Sequence, residues 1–162
     1  MTTTTPTAIA PELLDRDHWT PEEQANARLV AEFVQLLMND HDLEAVRERF
    51  SDGAYTQHNR TMTDGLEGVL AYVGRTAKRY PEFGYDVRRV LADGDHVVIH
   101  SHVTLKAGHR GNDRKGLNIT DTWRVVDGRL VEHWDSVEPI DLPMRLLGLL
   151  TGGRFRNTNG VF

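Results

Sequence analysis

Apolar residues recur at helical spacing in the first half of the chain and alternate with polar ones in the second. Ala25, Leu29, Phe33 and Leu36-Leu37, widened by Val30 and Val34, form one stripe. Thr20-Pro21-Glu22-Glu23 precedes it and reads as a capping box with proline at the first helical position. The stripe predicts a helix running to about Met38. Asn39-Asp40-His41-Asp42 is a turn that supplies the N-cap of a short helix over 43–50, and 55–58 is a short strand. Asp64-Gly65-Leu66-Glu67 opens another helix, with Leu66, Val69-Leu70, Val73 and Ala77 on one side, and Tyr80-Pro81 stops it. Strands follow over 85–91, 96–106, 117–126 and 130–137. Ala92-Asp93-Gly94-Asp95 and Asp127-Gly128 are hairpin turns, and 108–116 is a Gly-rich hairpin tip. Pro139 and Pro143 end the strands, 142–150 is a short apolar helix, and Gly152-Gly153 leads into a polar tail.

Helices followed by hairpin-linked strands define an α+β class, with helices across one face of a curved antiparallel sheet. Such an arrangement leaves a concavity between helices and sheet, where a small molecule fits. The expected organisation is a loosely packed or disordered lead over 1–19, one domain over 20–150 and a tail over 151–162. A length of 162 residues suits one core. Nineteen basic against twenty-four acidic residues give a charge of −5, which disfavours a nucleic-acid surface. There is no cysteine, so disulfides, thiolate metal sites and a cysteine nucleophile are excluded. No apolar run reaches the roughly 18 residues of a membrane span. The Thr-rich start has neither the basic nor the apolar region of a signal peptide, so the expected compartment is the cytoplasm.

Alternation groups the polar residues of the strands. His96, Val98, His100, His102 and Thr104 share one face, against Val97, Ile99, Ser101, Val103 and Leu105. Ile119, Asp121, Trp123 and Val125 share a face, as do Val131, His133, Asp135 and Val137. Three neighbouring strands can therefore bring His100, His102, Asp121, His133 and Asp135 to a common side. Imidazoles beside carboxylates suit proton transfer near neutral pH. The spacing of His100 and His102, joined by His58, His133 and an aspartate, is also a metal-ligand pattern, though no metal and no cofactor is expected. The plainer readings are a hydrogen-bonded structural His58, an Asp121 paired with a neighbouring histidine, and His133 with Asp135 as a surface couple.

The segments Tyr55-Thr56-Gln57-His58-Asn59, His100-Ser101-His102, Asp121-Thr122-Trp123-Arg124 and the run from Asp127 to Asp135 resemble, in order, SnoaL-like proteins of the nuclear transport factor 2 (NTF2) fold. The subgroup is the one described as aldol-condensation-catalysing, and the ending Arg156-Asn157-Thr158-Asn159-Gly160-Val161-Phe162 is similar to that subgroup's. The resemblance covers roughly residues 26–162. It implies an NTF2-like cone with the Asp121 and His133 faces turned inward. Ketosteroid isomerase shares the fold; its base aligns with His58, its protonated oxyanion-hole aspartate with Asp121, and its tyrosine falls near Phe33, which has no hydroxyl. Either Asp135 or Glu138 would supply the acid that SnoaL-type cyclases carry near the end of the last strand.

The resulting expectation is a cofactor-free acid–base enzyme for a small apolar carbonyl compound, acting by aldol-type cyclisation, isomerisation or elimination. His58 faces Asp121 as base and oxyanion stabiliser, and His102, His133 and Asp135 position substrate or relay the proton. His100, Asn59, Phe33, Tyr72 and Trp123 contact substrate. The alternatives are a metal-dependent enzyme, an epoxide hydrolase using an Asp-Arg-Asp set, which Arg124 does not complete from the opposite face, a ligand carrier, and an interaction module. No nucleic-acid or membrane partner is expected. A homodimer is expected through an outer sheet face bearing Trp134, Leu130, Val97, Ile99 and Val103.

Overall fold

A computed structural model describes residues 8–151 and 156–161. The Thr-rich start up to Thr7 and the glycine pair expected to lead into the tail lie outside the described residues. The remainder of the lead is held to the domain: Trp19 is buried, and Ile9, Leu13 and Leu14 pack on the core.

Helix α1 (Pro21–Val34) begins at the predicted capping box, where Glu23 N donates to Thr20 Oγ1 at 3.2 Å and Thr20 N donates to Glu23 Oε2 at 2.7 Å. The helical path widens into a π turn (Gln35–Asp40) and stops at His41, whose φ of 55° lies in the left-handed region. Asp42 caps α2 (Leu43–Phe50) by accepting Ala45 N at 3.0 Å. Asp64 does not cap α3 (Leu66–Arg79); its Oδ1 accepts Gln57 N at 2.8 Å and ties the helix approach to the first strand. Gly68 lets α3 lie against that approach, since a Cβ there would come within 1.8 Å of the Thr63 carbonyl oxygen.

The strands are β1 (Thr56–Gln57), β2 (Gly84–Asp93), β3 (His96–Thr104), β4 (Leu117–Val126) and β5 (Arg129–Pro139), in the order β1-β5-β4-β3-β2. All neighbours are antiparallel except β1, which runs parallel to β5, so the sheet is mixed and open. Helix α4 (Leu142–Thr151) follows β5. The described helices include none long and apolar enough to cross a membrane.

The sheet's inner face carries Val97, Ile99, Ser101 and Val103 from β3, with Ile119, Asp121, Trp123 and Val125 beside them on β4. This corrects two expectations. First, Ile99, not His100, lies opposite Asp121, and His100 and His102 pair with Thr120 and Asn118 on the outer face. The alternation was right; the grouping of its faces across strands was not, because register decides that and alternation does not. Second, Val97, Ile99, Val103 and Leu130 are core residues, so the apolar outer face invoked for a dimer does not exist in that form. Leu130 turns inward although His133, three positions on, also does. The register with β5 shifts between Arg124 and Val125, and this bulge allows two residues of opposite parity to share a face.

Candidate active site

A cavity of about 570 Å³ opens between α3, α4 and the inner face of the sheet. Its walls are mainly apolar, with Tyr80, Phe83, Leu105 and Ile119 among them, and its polar lining includes Asn59, Thr61, Tyr72, Tyr85 and Asp135.

Among the described residues Asp135 is the one carboxylate of the lining, and it is half-buried. Asn59 Nδ2 donates to its Oδ2 at 2.6 Å. In the β4–β5 register Asp135 lies directly opposite Asp121, so both side chains leave the sheet on the same side. Asp121 is 2% exposed, and its Oδ2 has no hydrogen-bond partner among the described residues. Burial pushes its pKa above the ordinary carboxylate range; the His133 hydrogen bond opposes this and the Asp135 charge adds to it.

His133 is held on both nitrogens. Its Nδ1 donates to Gln57 Oε1 at 3.0 Å, and Nε2 lies 3.1 Å from Asp121 Oδ1. Gln57 Oε1 also accepts Asn59 N at 2.8 Å, which identifies it as the amide oxygen and obliges His133 to carry a proton on Nδ1. His133 Nε2 and Asp121 Oδ1 therefore share one proton. Trp123 packs against the imidazole with ring centroids 4.7 Å apart and donates from Nε1 to Tyr55 Oη at 3.2 Å. The tyrosines stay protonated: burial drives the pKa values of Tyr55, Tyr72 and Tyr85 up, and the nearby Asp135 charge reinforces each shift.

His58 does not face Asp121. Tyr55, Gln57 and Asn59 point inward, and His58 has the opposite parity. Its Nδ1 donates to the Gly160 carbonyl, its Nε2 lies 2.9 Å from Glu132 Oε1, and its ring stacks on Trp134 at 4.9 Å. Glu132 also pairs with Arg124 at 3.2 Å, which keeps Arg124 on the outer side. A two-residue strand has too few positions for alternation to reveal its inner face, and Gln57 takes the inward place assigned to His58.

The other expected residues divide. Asn59, Tyr72 and Asp135 line the cavity. Asp121, His133 and Trp123 lie behind it, and Phe33 is core, in ring contact with Trp123, Tyr55 and Phe50. His100 and His102 line a separate, shallow polar cleft of about 640 Å³ on the outer face. There Arg89 Nη1 donates to His100 Nδ1 at 2.9 Å, His100 Nε2 donates to Asn118 Oδ1 at 2.6 Å, and Asn118 Nδ2 donates to Glu138 Oε2 at 3.1 Å. Glu138 is thus bound on the outer face, and Asp135 is the acid of the last strand that reaches the cavity. The four histidines do not converge, and among the described residues no three potential ligands group around a common metal position.

Sequence reasoning missed Gln57, Tyr85, the role of the tail, and Arg75, Arg79 and Arg156, which also line the cavity. Asn157 Nδ2 donates to the carbonyls of Asn59 and Met62 at 2.9 and 2.8 Å, and Asn159 Nδ2 donates to that of Gln57 at 2.9 Å. The tail thereby braces the two residues, Gln57 and Asn59, that hold His133 and Asp135. Spacing carries no signal for contacts a hundred residues apart.

The helices and the mixed, open sheet define a SnoaL-like architecture. The family model described as the SnoaL-like domain matches residues 30–133, and the chain belongs to that family. Solved structures with the same fold include a candidate polyketide cyclase from Bacillus cereus, 18% identical, with 82% of this chain and 85% of that one covered at a TM-score of 0.61. A candidate SnoaL-like polyketide cyclase from Jannaschia is 18% identical over 89% of this chain and 100% of that one, also at 0.61. AclR from Streptomyces galilaeus, described as a candidate hydroxylase, is 20% identical over 85% and 89%, at 0.56. At these identities the likeness shows the fold. No curated protein matches the chain.

Proposed function

We propose that the chain is an enzyme that performs cofactor-free acid–base chemistry on a small, largely apolar carbonyl compound. The supporting observation is Asp135, a carboxylate on the wall of an apolar cavity, opposite a second carboxylate whose pKa is pushed up by burial. Paired acids with divergent environments are a means of keeping one as base and the other protonated or proton-sharing.

In this reading Asp135, held by Asn59, removes a proton from the carbon next to the substrate carbonyl. The C–H electron pair moves into the enolate. Tyr72 and Tyr85, whose hydroxyls keep their protons, donate to the enolate oxygen. They take the part for which Phe33 lacks a hydroxyl. Asp121 and His133, with one proton between them, limit the negative charge facing Asp135 while it is ionised. The enolate carbon then attacks a second carbonyl of the same molecule, and the new alkoxide recovers the proton from Asp135. Isomerisation is the same sequence with the proton returned to another carbon.

The first step is measurable without knowing the product. Polyketide-like carbonyl compounds would be incubated with the protein in deuterium oxide and α-proton exchange followed by NMR. Wild-type protein should accelerate exchange, and Asp135→Asn should lose about 10²–10⁴-fold of that acceleration. Unchanged exchange in a folded Asp135→Asn variant would remove Asp135 as the base.

A further inference from the structure

The cavity has a second polar zone that the acid–base chemistry does not use. Arg75, Arg79 and Arg156 all contribute to its lining. Arg75 and Arg79 are one helical turn apart on α3, so their side chains leave the same face of the helix. Arg156 arrives from the tail, where its N donates to the Arg60 carbonyl at 2.7 Å and the adjoining Asn157 is buried and grips two loop carbonyls. Three arginines from two distant parts of the sequence therefore line one largely apolar space.

Their electrostatics are unbalanced within the protein. Among the described residues none of the three has a carboxylate within salt-bridge distance, as is also true of exposed arginines elsewhere such as Arg28, Arg114 and Arg129; what distinguishes these three is that they line one cavity. This occurs on a chain with an excess of acidic residues. Like charges one turn apart on a helix disfavour it by a few tenths of a kcal/mol, and a third cation nearby adds to that cost. Arg79 also lies over the Tyr80 ring at 5.4 Å, which restricts its guanidinium on the cavity side. All three are exposed, whereas Asp135 is half-buried. The cavity is graded in depth, cationic at its mouth, apolar along its walls and acidic further in.

We propose that the cavity recognises apolar molecules bearing an anionic group, a carboxylate or an equivalent oxyanion, held at the mouth by Arg75, Arg79 and Arg156. The apolar body then fills the interior with the anion directed away from Asp135. The repulsion between ligand anion and Asp135 sets the orientation, and the guanidiniums supply charge-assisted hydrogen bonds. This rests on the cavity being the substrate site and specifies the class of substrate it takes: a carbonyl compound that also carries an acid group.

A matched pair of fluorescent probes tests it. Anilinonaphthalene sulfonate and N-phenylnaphthylamine have the same aromatic body and differ by the anionic group. Titrated into the full chain at low salt, the sulfonate should bind about tenfold or more tighter than the neutral amine, as expected for charge-assisted contacts. Added salt should narrow that ratio. The combined Arg75→Gln, Arg79→Gln and Arg156→Gln variant should bring it close to unity while leaving affinity for the amine unchanged. Because these side chains are exposed, the variant should fold, which circular dichroism checks. Ile119→Trp, which fills the cavity wall, should weaken both probes and so locate them inside. Equal affinity of the two probes, or a ratio indifferent to the arginine substitutions, would overturn the proposal. Asp135→Asn should keep or increase the preference for the sulfonate, since it removes a like charge, while losing proton exchange, so failure of the acid–base reading and failure of this one give different results.

Discussion

Gln57 Oε1 lies 3.0 Å from His133 Nδ1, and this contact fixes the proton on that nitrogen, leaving Nε2 toward Asp121. Because the same oxygen accepts Asn59 N, the amide cannot be turned over without breaking a second hydrogen bond. Replacing Gln57 with leucine frees His133 Nδ1 and allows the other tautomer. The expected outcome is a loss of about tenfold in α-proton exchange, the scale of one buried hydrogen bond. The ¹⁵N shifts of the His133 ring should report a changed tautomer, which a purely structural role for Gln57 would not produce.

Asp121 sets a pH dependence of stability. Its pKa is raised from the ordinary 3.8 by burial, so the native state binds more protons than the unfolded chain above that value. The stability contributed by the protonated acid is full below 3.8 and declines as pH rises through the elevated native value. Asp121→Asn removes the titration. Urea unfolding across acidic to neutral pH should show a smaller loss of stability in the variant, and a slope identical to wild type would contradict the assignment.

His58 and Asn157 hold the tail and the loop after β1, and the proposed chemistry does not use them. His58→Ala is expected to retain α-proton exchange within a few-fold, since the ring is bound by Glu132 and Gly160 outside the cavity. Exchange falling as far as in Asp135→Asn would restore His58 as a base. Asn157→Ala leaves the Asn59 and Met62 carbonyls without their partner and should cost about 1–3 kcal/mol in urea unfolding.

Gly68 provides a test of the fold where two effects oppose each other. Helix propensity favours alanine by about 1 kcal/mol. A Cβ at 1.8 Å from the Thr63 carbonyl oxygen forces backbone to move, which costs about 1–3 kcal/mol or more. Gly68→Ala should therefore lower the melting temperature despite the better helix former, and an increase would mean that α3 does not rest on this loop.

The elements were legible in the sequence because each depends on neighbours along the chain. The capping box at Thr20, the Asp42 cap, the helical stripes and the hairpin turns act over a few residues, and the structure places them where the pattern does. Asp121 and His133 were legible only as members of a polar group, with His100, His102 and Asp135, that neighbouring strands could bring to one side. Alternation further separated His100 from Ile99, but it left open which set shared a side with Asp121.

Tertiary structure decided the rest through register. A shift of one residue exchanges the faces of a strand, and neither a two-residue β1 nor a bulged β5 announces its register in the sequence. For that reason Gln57 replaced His58 opposite the inner acids, and Leu130 entered the core. Side-chain pattern alone thus determined what elements this protein is built from and that imidazoles and carboxylates cluster on its strands. Strand pairing, which depends on hydrogen bonds between residues far apart, decided that Asp135 is the group with access to the cavity.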